Sequence, residues 1–562
     1  MLSLSASPSN RVLQIPELLH MILGFLGSDN ASNARVCKRW SEICLDILWT
    51  DVDDLHRLFG ILKPLEKLEE SEDAPYAFVA PPDADDWRRF HRYSRRVRRL
   101  SFHADSGPCL SPTVFEDIAR TRTDISILPN VNTLSWAAPL PLAVIFMHAN
   151  VKRFVLWLPD ESQTRDSPLP FFRDVASRMP HLTCLDLRTH TPMHSMEDDM
   201  IYLLKNLVKL RKVVFPRFEL TTRIAETLAE LDELGCIEFQ YMPEQGSGDL
   251  ADTQVFRPSL KTGAFPSLWD LSLTVSLSDG LKFMRDSSAP TNLTSLYFDS
   301  HLVETPAVVH ELLSILAETC HLLESLGIIT LINSANTPPS AEVLSFSTLS
   351  PLQNFPNLTI FELIHQNPLV LTVDDLDQLA RSWPSLRKLI LNNEPAASDN
   401  SSLTLNALLP FARHCPELEQ LGLFINASTA DLPSTYSTDV TSASHKPFTK
   451  LQRLSMGVSL IDDEGAVALF LSQICPLSTE IEYGVTWETD ALVEVPLIEE
   501  MADRCTKWQK VAELLPLLTK LRMEERERNR LQALEAKDLR MRNGVLMDER
   551  TVGRGGDSCV ML

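Results

Sequence analysis

The apolar positions between residues 15 and 49 fall into two helical patterns separated by a polar break. Leu18, Leu19, Ile22, Leu23 and Leu26 recur at the i, i+3, i+4, i+7 spacing of one helix face. Ile15 precedes them, and Pro16 suits a first helical position, where its missing N–H would have no partner anyway. After the break at 27–33, Val36, Cys37, Trp40, Ile43, Cys44, Ile47 and Leu48 follow the same rule. Two helices this short cannot bury both of their faces. A helical module over residues 11–62 is therefore predicted to keep apolar surface for a partner. Residues 1–10 are Ser-rich and read as disordered, and the acidic, Pro-containing stretch 63–86 reads as a linker.

Beyond the linker the pattern repeats. Each copy is a lead apolar residue followed by two more, three and five positions on, as in Leu182/Leu185/Leu187 and Leu386/Leu389/Leu391. Copies lead at Val97, Val131, Val151, Leu182, Leu210, Leu234, Leu268, Leu293, Leu323, Leu358, Leu386, Leu418 and Leu451, spaced 20 to 35 residues apart. Amphipathic stretches such as 200–210, 308–323 and 376–383 lie between them. A short strand, a loop and a returning helix make a leucine-rich-repeat unit. No such unit buries its own apolar face, so units stack and their strands line a concave surface. The predicted fold is α/β: the helical module, then an irregular, horseshoe-like leucine-rich-repeat solenoid over 87–490. Of the Asn or Cys residues that usually follow the strand in each unit, only Asn426 stands in place. The excursions 332–354 and 427–446, rich in Ser, Thr and Pro, read as mobile insertions. Residues 491–542 turn helical, with an apolar stretch at Trp508, Val511, Leu514, Leu515, Leu517, Leu518 and Leu521 in the part that caps the open end, and an Arg/Glu-rich part projecting into solvent. Residues 543–562 read as a flexible tail.

Composition narrows the partners. A formal charge of −23 and a pI near 5.1 argue against general binding to nucleic acid, whose phosphates such a surface repels. The one basic run, Arg88 to Arg99, holds seven arginines interleaved with Phe90, Tyr93 and Val97. Beside an acidic segment it reads as the solvated face of a helix feeding the first repeat strand. No apolar run reaches the length of a membrane span, and Glu17 and His20 interrupt the N-terminal apolar stretch where a secretory signal would need continuity. The ten cysteines include no C-x-x-C pair, so neither a zinc site nor a disulfide framework is expected. The sequons at Asn30, Asn292, Asn357, Asn400 and Asn426 then read as chance matches in a cytoplasmic or nuclear protein.

Catalytic patterns are missing. There is no paired-histidine metal motif, no phosphate-binding Gly-rich loop and no nucleophile elbow. His103, His181, His310 and His414 sit in or beside repeat units and read as structural. No catalytic residue, metal or cofactor is expected. The last four residues, Cys559-Val560-Met561-Leu562, fit a prenylation signal, with Leu562 favouring geranylgeranyl. The flanking arginines are offset by Asp548, Glu549 and Asp557, so membrane association through Cys559 would be modest and reversible.

The ordered set Ile15-Pro16-Glu17-Leu18-Leu19, Ile22-Leu23, Leu26, Val36-Cys37-Lys38-Arg39-Trp40 and Leu48-Trp49 resembles an F-box, of the kind joined to leucine-rich repeats in fungal proteins. On its middle helix, where that family usually carries a Leu-Leu pair, this chain has Ala31, Ser32 and Ala34. The resemblance implies the substrate receptor of a Skp1–cullin–F-box ubiquitin ligase. It would bind a Skp1-like adaptor, and cullin through it, by Ile15, Pro16, Leu18, Leu19, Ile22, Leu23, Leu26, Val36, Cys37 and Trp40. An unidentified target protein would sit on the repeats, and ubiquitin transfer would belong to other subunits. Two other readings stand beside it: a repeat scaffold outside any ligase, its N-terminal helices serving only as a cap, and an RNA-associated protein working through Arg88 to Arg99.

Overall fold

The computed structural model describes residues 13, 15–71, 74–159, 167–239, 253–330, 342–395, 401–428, 446–486 and 495–553. The chain divides into two compact units, Met1–Asp299 and Ser300–Leu562.

The first unit opens with three helices, α1 (Pro16–Gly24), α2 (Asn30–Asn33) and α3 (Lys38–Thr50). The chain leaves α3 directly into a two-residue strand, Asp51–Val52, which pairs in parallel with Arg99–His103. Strands Thr133–Ala137, Arg153–Trp157, Cys184–Arg188, Lys212–Phe215, Cys236–Phe239, Asp270–Leu273 and Ser295–Asp299 follow, each parallel to the one before. Their register aligns Leu100, Leu134, Phe154, Leu185, Val213, Ile237, Leu271 and Leu296 in one buried row. Side chains alternate along a strand, so the polar first residues Arg153, Cys184, Lys212, Cys236 and Asp270 line up on the opposite face. Between strands run amphipathic helices such as Leu169–Arg178, Glu197–Asn206 and Thr222–Leu228, the last capped by Thr221 Oγ1 accepting from the Ile224 N–H.

The second unit repeats the scheme. Strands Ser325–Thr330, Ile360–His365, Lys388–Leu391, Gln420–Leu423, Arg453–Gly457 and Glu480–Tyr483 are parallel, with Leu326, Phe361, Leu389, Leu421, Leu454 and Ile481 in register and buried. A Thr372–Asp375 capping box starts helix Val373–Ser382. One C-terminal helix, Val495–Gly553, closes the unit. Trp508, Val511 and Leu515 on it are buried, and the Trp508 indole N–H donates to the Ser459 carbonyl at 2.9 Å.

The expected repeat architecture is present, and all thirteen lead positions from Val97 to Leu451 are buried. Several details differ from the sequence expectation. The stretch 63–86 carries an antiparallel hairpin, Leu65–Lys67 with Tyr76–Phe78, and the start of helix Ala84–Ser94. That helix begins early because Asp83 and Asp86 form a capping box. Residues 342–354 are not free of the core. Leu344, Leu349 and Leu352 are buried there, and Trp383 Nε1 donates to the Leu352 carbonyl at 3.1 Å. The C-terminal helix runs on past Arg542 to Gly553, as one element despite Pro516. Polar side chains beyond the strands bind the backbone of neighbouring units. Ser459 Oγ donates to the Leu423 carbonyl and accepts from the Ile425 N–H. Asn392, at φ +49°, accepts from the His365 N–H and donates to the Asn367 carbonyl. Among the described residues no helix is long and apolar enough to cross a membrane. Residues 1–10 and Cys559 lie outside the described residues.

Candidate functional site

The N-terminal module buries few apolar residues and exposes many: Ile15, Leu18, Met21, Ile22, Phe25, Leu26 and Val36 are all exposed. Its interior is small. Leu19 and Leu23 on α1 meet Cys44 on α3, and Leu13, Ala34, Trp40, Ile43 and Ile47 pack partly around them. Burial pushes the Cys44 thiol up, which keeps it neutral there. Asn30, fully buried, joins the helices by polar contacts: its Nδ2 donates to the Leu23 carbonyl at 2.8 Å, and its Oδ1 accepts from Asn33 Nδ2 at 3.3 Å and lies 3.7 Å from Cys44 Sγ. A buried side chain so engaged cannot serve as a glycosylation acceptor.

The other face of α1 has no cover within the module. Leu18, Ile22 and Phe25 recur at i, i+4, i+7, with Ile15 and Met21 beside them, and all are exposed, Phe25 by 88%. Leu26 and Val36 extend the same apolar surface, and Pro16 and Cys37 are exposed at its margins.

The structure thus splits the residues that the sequence placed at one docking face. Ile15, Pro16, Leu18, Ile22, Leu26, Val36 and Cys37 are exposed. Leu19 and Leu23 point inward, because the positions that follow Leu18 and Ile22 by one residue lie some 100° round the helix and face α3. Trp40 packs partly against the interior. Met21 and Phe25 were missed, although a signal was there. Apolar residues occupy more than one face of 15–26, and a helix apolar all round is one destined to be covered on all sides.

The arginines that follow hold the module to the first repeats. Arg96 pairs with Glu42 and Asp46 on α3, and Arg99 with Asp51 at its end. Hydrogen bonding to Arg96, and its charge, hold the Glu42 carboxyl below its usual range. Arg89 donates to the carbonyls of Ile61 and Leu62 and pairs with Asp86, while Arg88 pairs with Asp85. Trp49 meets Tyr93 edge-on at 5.5 Å, and the Arg57 guanidinium lies over the Trp49 ring at 4.6 Å.

Residues 16–54 match the family model described as F-box-like. This segment is an F-box-like domain. The match takes in α1 to α3 and runs through Asp51–Val52, so the F-box-like domain ends inside the sheet of the first unit. No curated protein matches the chain. Similar solved structures include a chain of the complex of Rad7 and Elc1 in yeast, with 15% identity over 63% of this chain and 83% of that one, at a TM-score of 0.33. Another is a chain of the TLR13–ssRNA13 complex, with 12% identity, 74% and 62% coverage, and a TM-score of 0.37. The chain therefore spans less than two thirds of that second structure's length.

Proposed function

We infer that this protein is the substrate-recognition subunit of an SCF-type E3 ubiquitin ligase. The F-box-like domain binds a Skp1-type adaptor, and cullin through it. The observation that carries this reading is the uncovered apolar stripe of Ile15, Leu18, Ile22 and Phe25 on a segment that matches the F-box-like model. A stripe serving only as a cap for the repeats would be covered by them. Here the interior face, Leu19 and Leu23, does the packing, and the stripe is left for another chain. The solenoid presents a target protein from its strand face or loops. The chain itself supplies proximity and orientation, and ubiquitin transfer takes place on other subunits. Its place of work is the cytoplasm or nucleus.

The test is co-purification of Skp1 and cullin with the full-length chain, beside a Leu18→Ala/Phe25→Ala variant. Loss of both partners in a variant that remains folded supports the receptor. Failure of the folded wild type to retain an adaptor overturns it in favour of a scaffold outside any ligase.

A further inference from the structure

One group of three side chains with metal-donor atoms stands out among the described residues: Cys236, Glu238 and Asp270, whose donor atoms all lie within 4.8 Å of one another. The sheet of the first unit builds it. Cys236 and Glu238 are two residues apart on one strand and so share a face. Asp270 opens the next strand, directly opposite Cys236 in the register. The Cys236 Sγ lies 3.5 Å from Asp270 Oδ2 and 3.6 Å from Glu238 Oε2. Lys212, opposite Cys236 on the preceding strand, donates from Nζ to Glu238 Oε2 at 2.5 Å, and Ser295 hydrogen-bonds the Asp270 carboxyl.

Cys236 is only 4% exposed and has a single S–H to offer two carboxylates. The spacing of the three donor atoms suits a cation. Zinc bonds of about 2.3 Å to sulfur and about 2.0 Å to oxygen, at tetrahedral angles, put the two donors about 3.5 Å apart. The charges also close: a thiolate and two carboxylates are balanced by a divalent ion and the Lys212 ammonium, with no net charge left in a partly buried place. Lys212 and Ser295 stand where outer partners orient metal-binding carboxylates.

We propose that Cys236, Glu238 and Asp270 form a three-donor zinc site on the strand face of the first unit. The fourth position opens to solvent, beside the partly exposed Glu238 and Lys212 side chains. Zinc binding releases the Cys236 proton to solvent, so affinity rises with pH. The site lies in the solenoid and does not depend on the F-box-like domain's partner.

The experiment uses the full-length chain, stripped with a chelator and titrated with cobalt(II) as a spectroscopic probe. One equivalent per chain with a sulfur-to-cobalt charge-transfer band, displaced by zinc, is the expected result. Cys236→Ser should abolish the band, Asp270→Asn should weaken binding at least about tenfold, and Cys184→Ser, one strand beyond Lys212, should leave both unchanged. Zinc should raise the melting temperature of the wild type and not that of Cys236→Ser, whose circular dichroism reports whether it is folded. No sulfur band in the wild type, or a band and stoichiometry that persist in Cys236→Ser (an adventitious ion only), would overturn the proposal.

Discussion

The side-chain amide of Asn30 donates to the main-chain carbonyl of Leu23 at 2.8 Å, beside the small core that Leu19, Leu23 and Cys44 form. The carbonyl belongs to the last turn of α1, where i→i+4 partners run out, and it also accepts from the Leu26 N–H at 3.0 Å. Asn30 thus ends one helix while starting the next. Replacing it with Ala removes one of the two donors to that carbonyl, which keeps the Leu26 N–H, and should destabilise the module by about 0.5–1.5 kcal/mol. Urea unfolding followed by Trp40 and Trp49 fluorescence checks this. An unchanged midpoint would mean that water replaces the amide.

The two faces of α1 should respond differently to the same substitution. Leu19→Ala removes a fully buried side chain and should lower stability by about 2–5 kcal/mol. Leu18→Ala, on the exposed face, should change it by no more than about 0.5 kcal/mol. Parallel denaturation curves for the two variants make the comparison.

Arg96 holds α3 to the first repeats through Glu42 and Asp46, both of which are themselves well exposed. Arg96→Ala should therefore weaken the attachment by only about 1 kcal/mol, and less at high salt. Limited proteolysis at two ionic strengths reads the effect as faster cleavage near residues 50–65 at low salt.

Acid should weaken the junction between hairpin and helix. The Asp86 carboxyl is held below its usual range: burial works against this, but Lys63, the Asp83 N–H and Arg89 outweigh it. A carboxyl whose folded value lies below its unfolded one adds stability above the ordinary carboxylate range. That stability is lost as pH falls through the depressed value. The urea midpoint should therefore drop more steeply below about pH 4, the ordinary aspartate value, in the wild type than in Asp86→Asn.

At the far end, Trp508 fills the last gap of the second unit. Trp508→Ala should destabilise that unit by about 3–5 kcal/mol. Truncation after Met541, where the helix side chains are exposed, should leave the melting temperature unaltered.

Much of this was legible in the chain. The lead apolar positions needed only local periodicity, because each parallel strand buries the same alternate residues as its neighbour; Val131 and Leu210 obey the rule as faithfully as Leu386. The last strand, Glu480–Tyr483, was not marked, since Ile481 is its only well-buried residue between Glu480 and Glu482. The split of α1 into a packed and an open face was hidden by a helix apolar on most sides. Asn30 looked like part of a polar break, and only the fold turns it inward. The Cys236–Asp270 pairing was invisible for a plainer reason. Its partners are 34 residues apart and meet through strand register, which no linear motif records.

The central claim is that the open face of α1 binds a Skp1-type adaptor, and a calorimetric titration of purified adaptor into the full-length chain tests it most directly. The account predicts saturable one-to-one binding, weakened at least about tenfold in Leu18→Ala/Phe25→Ala with the unfolding curve unchanged; a loss of about 1.4 kcal/mol or more is well within what apolar anchors supply. No heat of binding by the folded wild type, or equal affinity in the variant, would contradict it.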